Sequence, residues 1–183
     1  MTWCAAFIHV QETKNRVGRR YGFEHRPGCG VYSSQLPLGM TGMTRLPPDS
    51  HTPQQNHLLA ALPAAERERL YPHLQLTEMP LAKVVYEPGE AVRYAYFPTD
   101  CIVSLLYVLE DGASTEISII GNEGLIGVSL FMGGETTPSR AVVQSAGYAY
   151  RLLGQTLREE FHRNNAIRLL LLRYTQVLIT QMA

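Results

Sequence analysis

The chain has 183 residues, 45% of them hydrophobic, and 16 Lys/Arg balance 16 Asp/Glu, which suffices for one domain with a packed core. The charge is uneven: residues 1 to 50 hold six basic against three acidic side chains, and the mildly acidic remainder excludes the broad basic face of a nucleic-acid binder. Cys4, Cys29 and Cys101 are too few and too scattered for a disulfide framework, and no apolar run approaches the roughly 20 residues that span a bilayer. The opening "MTWCAAFIHVQ" is shorter in its apolar part than a secretory signal, so the reading is a cytoplasmic protein in a reducing compartment.

Residues 1–55 contain glycine, proline and arginine without a sustained period, which predicts a poorly ordered or non-native extension. Its basic cluster, Lys14, Arg16, Arg19, Arg20 and Arg26, reads as solvated charge on a tail. Cys4, His9, His25 and Cys29 are zinc-ligating types, but no surrounding order supports them, and no metal is predicted. Met43 opens "MTRLPPDSHTPQQNHLLAALP" and reads as a natural start, with residues 1–42 carrying no function.

The orderly pattern begins at Asn56. This residue is placed to cap a short helix in "HLLAALP", and Pro63 suits the start of a second in "PAAERERLYPHL". Six strand-like runs come next: "KVVYE", "YAYF", "CIVSLLYVL", "STEISII", "RAVVQS" and "YAYRL", several separated by the turn signals "EPGE", "EDG" and "SAG". In "STEISII" simple alternation puts Ile117 and Ile119 on one face and Glu116 and Ser118 on a wet one. These runs make residues 56–154 a mainly β domain, a sandwich or roll with helices in front. From residue 155 to 183 the period turns helical, with a stripe of Ile167, Leu171, Tyr174, Leu178 and Met182. Leu169, Leu170, Leu172 and Val177 add more apolar surface than one sheet would cover, which points to a partner helix.

The order of these parts, with "VVYEPGE", "YFPTDCIVSLLYVLEDG", "GNEGLIGVSLFMGG" and "LLLRYTQVLITQMA", resembles the effector domain of the Crp/Fnr family of bacterial transcription regulators from about Asn56 to Ala183. The resemblance implies a cyclic-nucleotide-binding-like jelly roll, or double-stranded β-helix, followed by a dimerisation helix. In a homodimer of this kind the seam is expected at Ile167, Leu171, Tyr174, Leu178 and Met182. It also implies a following helix-turn-helix domain, of which this sequence contains nothing, so DNA is not expected to bind through this chain alone.

In nucleotide-binding members of that family a Gly-Glu pair opens a short helix and an arginine about ten residues later holds the phosphate. Here Gly127 matches the glycine, Val128 stands where the glutamate would take a ribose hydroxyl, and Ser139 aligns with the arginine. Arg140 lies one residue on, and a shift of one along a strand turns a side chain to the opposite face. Only a bulge at Pro138 would restore its direction. Losing an arginine–phosphate pair removes on the order of 1.5–3 kcal/mol, so ordinary cyclic AMP binding is not expected. A different small anionic effector stays open, with Gly124, Gly127, Val128, Ser129, Thr136, Thr137, Ser139 and Arg140 as candidate contacts.

Other chemistries are poorly supplied. A metal-dependent jelly-roll enzyme needs convergent histidines, and none lies between His73 and His162; the four-cysteine iron–sulfur site of some relatives is one cysteine short. No nucleophile, base and metal set converges, so neither an enzyme nor a cofactor is predicted. The expected function is effector sensing and dimerisation in a transcription regulator; the alternative is a ligand-free interaction module that forms dimers, mixed ones with full-length relatives included.

Overall fold

Asn56 organises the start of the domain from a fully buried position. Its Oδ1 accepts the Leu58 and Leu59 N–H groups at the head of α1 (His57–Ala60), while its Nδ2 donates to the Pro98 and Gly124 carbonyls at 3.0 and 2.8 Å. The cap therefore also ties the helix to the end of a strand at Pro98 and to the loop at Gly124. Pro63 precedes α2 (Ala64–Leu70), and Leu58, Leu59, Leu62 and Leu70 all enter the core. In this computed structural model the described residues are 50–109, 113–134 and 136–182, all within the unit Met43–Ala183. The expectations for residues 1–49, namely the zinc-type set, the basic cluster and the start at Met43, lie outside them.

Packing begins ahead of the expected boundary at Asn56. The His51 ring is buried beside Tyr148, with 4.5 Å between centroids, and the His51 carbonyl accepts the Tyr150 hydroxyl at 2.9 Å. Residues 51–55 thus belong to the domain, a correction to an extension running to residue 55.

Among the described residues seven strands make up the roll: β1 (Gln75–Met79), β2 (Val84–Tyr86), β3 (Tyr94–Pro98), β4 (Ile102–Val108), β5 (Ser114–Ile120), β6 (Ser139–Ser145) and β7 (Gly147–Leu153), with α3 (Ser129–Met132) between β5 and β6. All pairings are antiparallel, in two sheets ordered β1-β7-β3 and β2-β6-β4-β5. The first strand escapes the sequence reading because "QLTEM" mixes polar and apolar residues without β-branched alternation. Met79 and Ala149 of one sheet share a single core with Val103, Ile120 and Val143 of the other. The opposite face of the three-stranded sheet, with Ala95, Phe97 and Leu152, lies under the helical layer that includes α4 (Gly154–Arg163) and its buried Leu157.

Strand β5 departs from its expected facing. Ser118 and Ile120 are buried, Ser118 in register with Leu105 on the inner face, while Ile117 and Ile119 are half-buried. The register shifts between Leu105, which opposes Ser118, and Leu106, which opposes Glu116, so Glu116 and Ser118 no longer share a face.

The C-terminal segment is two helices, α4 and α5 (Asn165–Met182), where the period predicted one. Asn164 leaves the helical region at φ −114°, ψ 115°, and its Oδ1 caps the Ala166 and Ile167 N–H groups at 2.9 and 3.2 Å. The break lets α5 turn its Ile167–Leu171–Thr175–Leu178 side into the domain.

Candidate functional site

The residues that the sequence nominated do not converge as a phosphate cradle. Gly124 lies beneath α5: a Cβ there would stand 2.5 Å from the Tyr174 hydroxyl, which donates to the Leu125 carbonyl at 3.1 Å. Gly127 has φ +105° and packs on Tyr94 and Ala95 of β3, a conformation that L side chains rarely adopt. Val128, half-buried against the core, and Ser129 lead into α3. The first N–H groups of that helix are committed internally, Leu130 to the Gly127 carbonyl and Phe131 and Met132 to Val128. Instead of facing a ligand, α3 buries Leu130 and Phe131, the latter 5.2 Å from the Phe161 ring of α4.

Strand β6 separates its first two residues by face. Ser139 is buried and Arg140 half-buried, with Ala141 and Val143 buried on Ser139's parity. Arg140 Nε donates to Glu87 Oε2 at 2.6 Å, so this guanidinium is neutralised on the face opposite Ser139. On the inner side Ser139 and Thr137 share a 2.9 Å hydroxyl–hydroxyl bond, and Ser139 lies close enough to the buried Tyr86 phenol to lower its pKa. Thr136 is exposed, and among the described residues its backbone forms a bridge to Ala91. Of the eight nominated residues, Thr137 and Ser139 come together, Gly127, Val128 and Ser129 line one turn, and Gly124, Thr136 and Arg140 stand apart.

An open mouth between the sheets is furnished by residues that the sequence reading did not nominate. Tyr86, Val92, Tyr94 and Tyr96 line a cleft of about 460 Å³, with Glu90 and Arg93 among its other wall residues. Tyr96 pairs with Arg151, and Arg151 with Gln75, so these three share a face; Tyr94 and Tyr96 are 6.4 Å apart in an edge-on arrangement. The Arg151 guanidinium stands 4.9 Å above the Tyr94 ring. Burial raises the Tyr96 phenol above its ordinary pKa, Arg151 pulls it partly back, and Tyr94 raises it again. Tyr86 is likewise raised by burial against the lowering effect of Ser139. The phenols are therefore protonated donors around neutral pH. The signal available in the sequence was parity: "YAYF" and "YAYRL" put tyrosines and Arg151 on alternating positions, but parity does not say which face is enclosed.

The five positions expected on a two-helix seam also move. Ile167, Leu171 and Leu178 are buried within this chain and Tyr174 is fixed on Leu125, leaving only Met182 exposed. The free side of α5 is instead Leu169, Leu172, Ile179 and Met182, because the Asn164 break rolls the other stripe onto the domain. Among the described residues, no helix is long and apolar enough to cross a membrane, and no group of three or more potential metal ligands gathers.

No protein-family model matches the chain, and the search of curated proteins finds no similar sequence. Solved structures do match. The sensor domain of the transcriptional regulator DNR from Pseudomonas aeruginosa superposes with a TM-score of 0.57 at 16% identity, over 70% of this chain and 86% of that one. A protein from Geobacter metallireducens assigned to cyclic-nucleotide binding gives 0.58 at 15%, over 69% and 92%. The c-di-GMP responsive global regulator CLP of Xanthomonas campestris gives 0.57 at 16%, over 66% of this chain and 61% of its own. At these identities the likeness defines the fold alone: a cyclic-nucleotide-binding-like jelly roll with flanking helices.

Proposed function

We propose that residues 50–182 are the effector-sensing and dimerising domain of a Crp/Fnr-type transcription regulator, acting in the cytoplasm on a small ligand other than cyclic AMP. The observation that carries this reading is the division of labour on α5. One side is held by the roll through Ile167, Leu171 and Leu178, while Leu169, Leu172 and Ile179 remain exposed. The exposed set, with Gln176 and the next turn, repeats at intervals of three and four residues, the spacing that lets a helix pair with its own copy. From Leu169 to Met182 the seam is about 20 Å long at 1.5 Å per residue. The occupant is accordingly a second copy of this chain, in a two-fold arrangement.

A mechanical route from pocket to seam supports a sensing role. Gly127 and α3 lie against β3 beside the cleft, α3 stacks on α4 through Phe131 and Phe161, and Tyr174 ties α5 to the loop that precedes α3. A ligand that prefers one position of α3 biases α5 by its difference in affinity between the two arrangements. Sedimentation equilibrium at about 20 μM tests the seam. The expected result is a dimer that Leu172→Glu with Ile179→Glu converts to a folded monomer by circular dichroism. A wild-type chain that remains monomeric overturns the reading, and a dimer indifferent to both substitutions places the contact elsewhere.

A further inference from the structure

We propose that the mouth of the roll takes a planar ring bearing one anionic group, with the anion on Arg151 of β7 and the ring against Tyr94 and Tyr96. The inference deepens the sensing role proposed above and rests on it. Three observations lead to it. First, the inner position at the head of β6 is the hydroxyl of Ser139, already bonded to Thr137, and the neighbouring Arg140 is neutralised on the other face by Glu87. An anion entering between the sheets finds no cation on that strand.

Second, β7 supplies one. Arg151 shares its register row with Tyr96 and Gln75 and forms no ion pair with a described carboxylate. Its Nε and Nη2 donate to the neutral Gln75 Oε1 at 3.2 and 3.1 Å, which fixes the guanidinium plane and leaves Nη1 without a hydrogen-bond partner among the described residues. A guanidinium that keeps its full charge and has a free edge is suited to a carboxylate or phosphate oxygen. The contact with the Tyr94 ring at 4.9 Å holds it beside the cleft.

Third, the cleft fits a ring. Tyr94 and Tyr96 stand edge to face, and Tyr86 and Val92 line the same space, so a planar ring entering it meets aromatic and apolar walls. The one carboxylate that lines it, Glu90, accepts the Glu87 N–H at 3.1 Å, whereas Arg93 adds a second positive charge to the wall. The local balance therefore favours an anion.

Calorimetric titration of the full chain with 4-hydroxybenzoate, phenyl phosphate and the uncharged 4-hydroxybenzamide tests the seat. The two acids separate a carboxylate from a phosphate ligand, and saturable binding of at least one is expected. Arg151→Gln should weaken that binding by about tenfold to a hundredfold, the loss of one charge-assisted pair. Arg151→Lys should recover part of it, Arg140→Gln should leave it unchanged, and the amide should bind at least about tenfold more weakly than its acid. Circular dichroism and a thermal scan establish that the variants are folded. Binding indifferent to Arg151→Gln, equal binding of amide and acid, or no binding of either acid each overturns the proposal. Those outcomes leave the sensing reading standing, since its own test is the dimer; a wild-type monomer that still binds the acid through Arg151 overturns that reading and keeps the seat.

Discussion

Replacing Gly124 by alanine tests how tightly α5 is bolted to the loop ahead of α3. The new methyl would lie 2.5 Å from the Tyr174 hydroxyl and 2.9 Å from Ile120 Cγ2, both closer than real contacts allow. Overpacking of this kind costs about 1–3 kcal/mol, offset by about 0.4–1 kcal/mol because alanine restricts the unfolded chain more than glycine does. Tyr174→Phe removes the bond to the Leu125 carbonyl and should cost about 1 kcal/mol by itself. The hydroxyl is also the closest atom to the new methyl, so deleting it relieves much of the clash. The double variant should therefore be more stable than the summed single losses by about 1 kcal/mol. With a urea slope of about 2 kcal/mol/M, that coupling separates the observed midpoint from the additive one by about 0.5 M. Additivity within about 0.3 kcal/mol would refute the claim that Tyr174 occupies the space which Gly124 leaves open.

Asn56→Ala should be among the most destabilising single changes in the domain, since it strips a helix cap and leaves the Pro98 and Gly124 carbonyls without their buried donor. A loss of about 3–5 kcal/mol in urea unfolding is expected, and Asn56→Asp, which keeps the cap acceptor but turns a buried carboxylate oxygen onto the two carbonyls, should be no less destabilising near neutral pH; a loss under about 1 kcal/mol for Asn56→Ala contradicts the assignment. Cys101 is buried, and burial, reinforced by Asp100, pushes its thiol from 9.0 up to about 12. In a Cys4→Ser/Cys29→Ser background it should resist an aromatic disulfide at pH 8 until urea is added, so prompt labelling of the native protein would show the burial to be wrong. Because the folded state holds this proton more tightly than the unfolded one, the stability it contributes is complete below pH 9 and is lost as pH rises toward about 12.

Much of the architecture was legible along the chain because it depends on local rules. Asn56 before an apolar helix, glycine-marked turns between β-branched runs and a helical period after residue 154 announced capped helices, a rolled sheet and a C-terminal helix. Arg140 was recognisable as displaced from the matching position, since parity along a strand is a property of sequence. The facing of β5 was misread for a related reason: the irregularity beside Leu105 changes which residues oppose one another, and no local signal in "STEISII" records it.

Residue order alone indicated the class of fold, and the resemblance it carries sets Val128 and Ser139 where a glutamate and an arginine are expected of a nucleotide binder. Which of two apolar stripes on α5 is spent on the roll was settled in three dimensions, because Asn164 breaks the helix and its cap sets the rotation of α5 about its own axis. Folding likewise brought Arg151, 11 residues past Arg140 by number, against Tyr94 and Tyr96 of another strand. Parity says which side chains share a face of one strand; which face is closed against another sheet is fixed by packing between segments far apart in the chain.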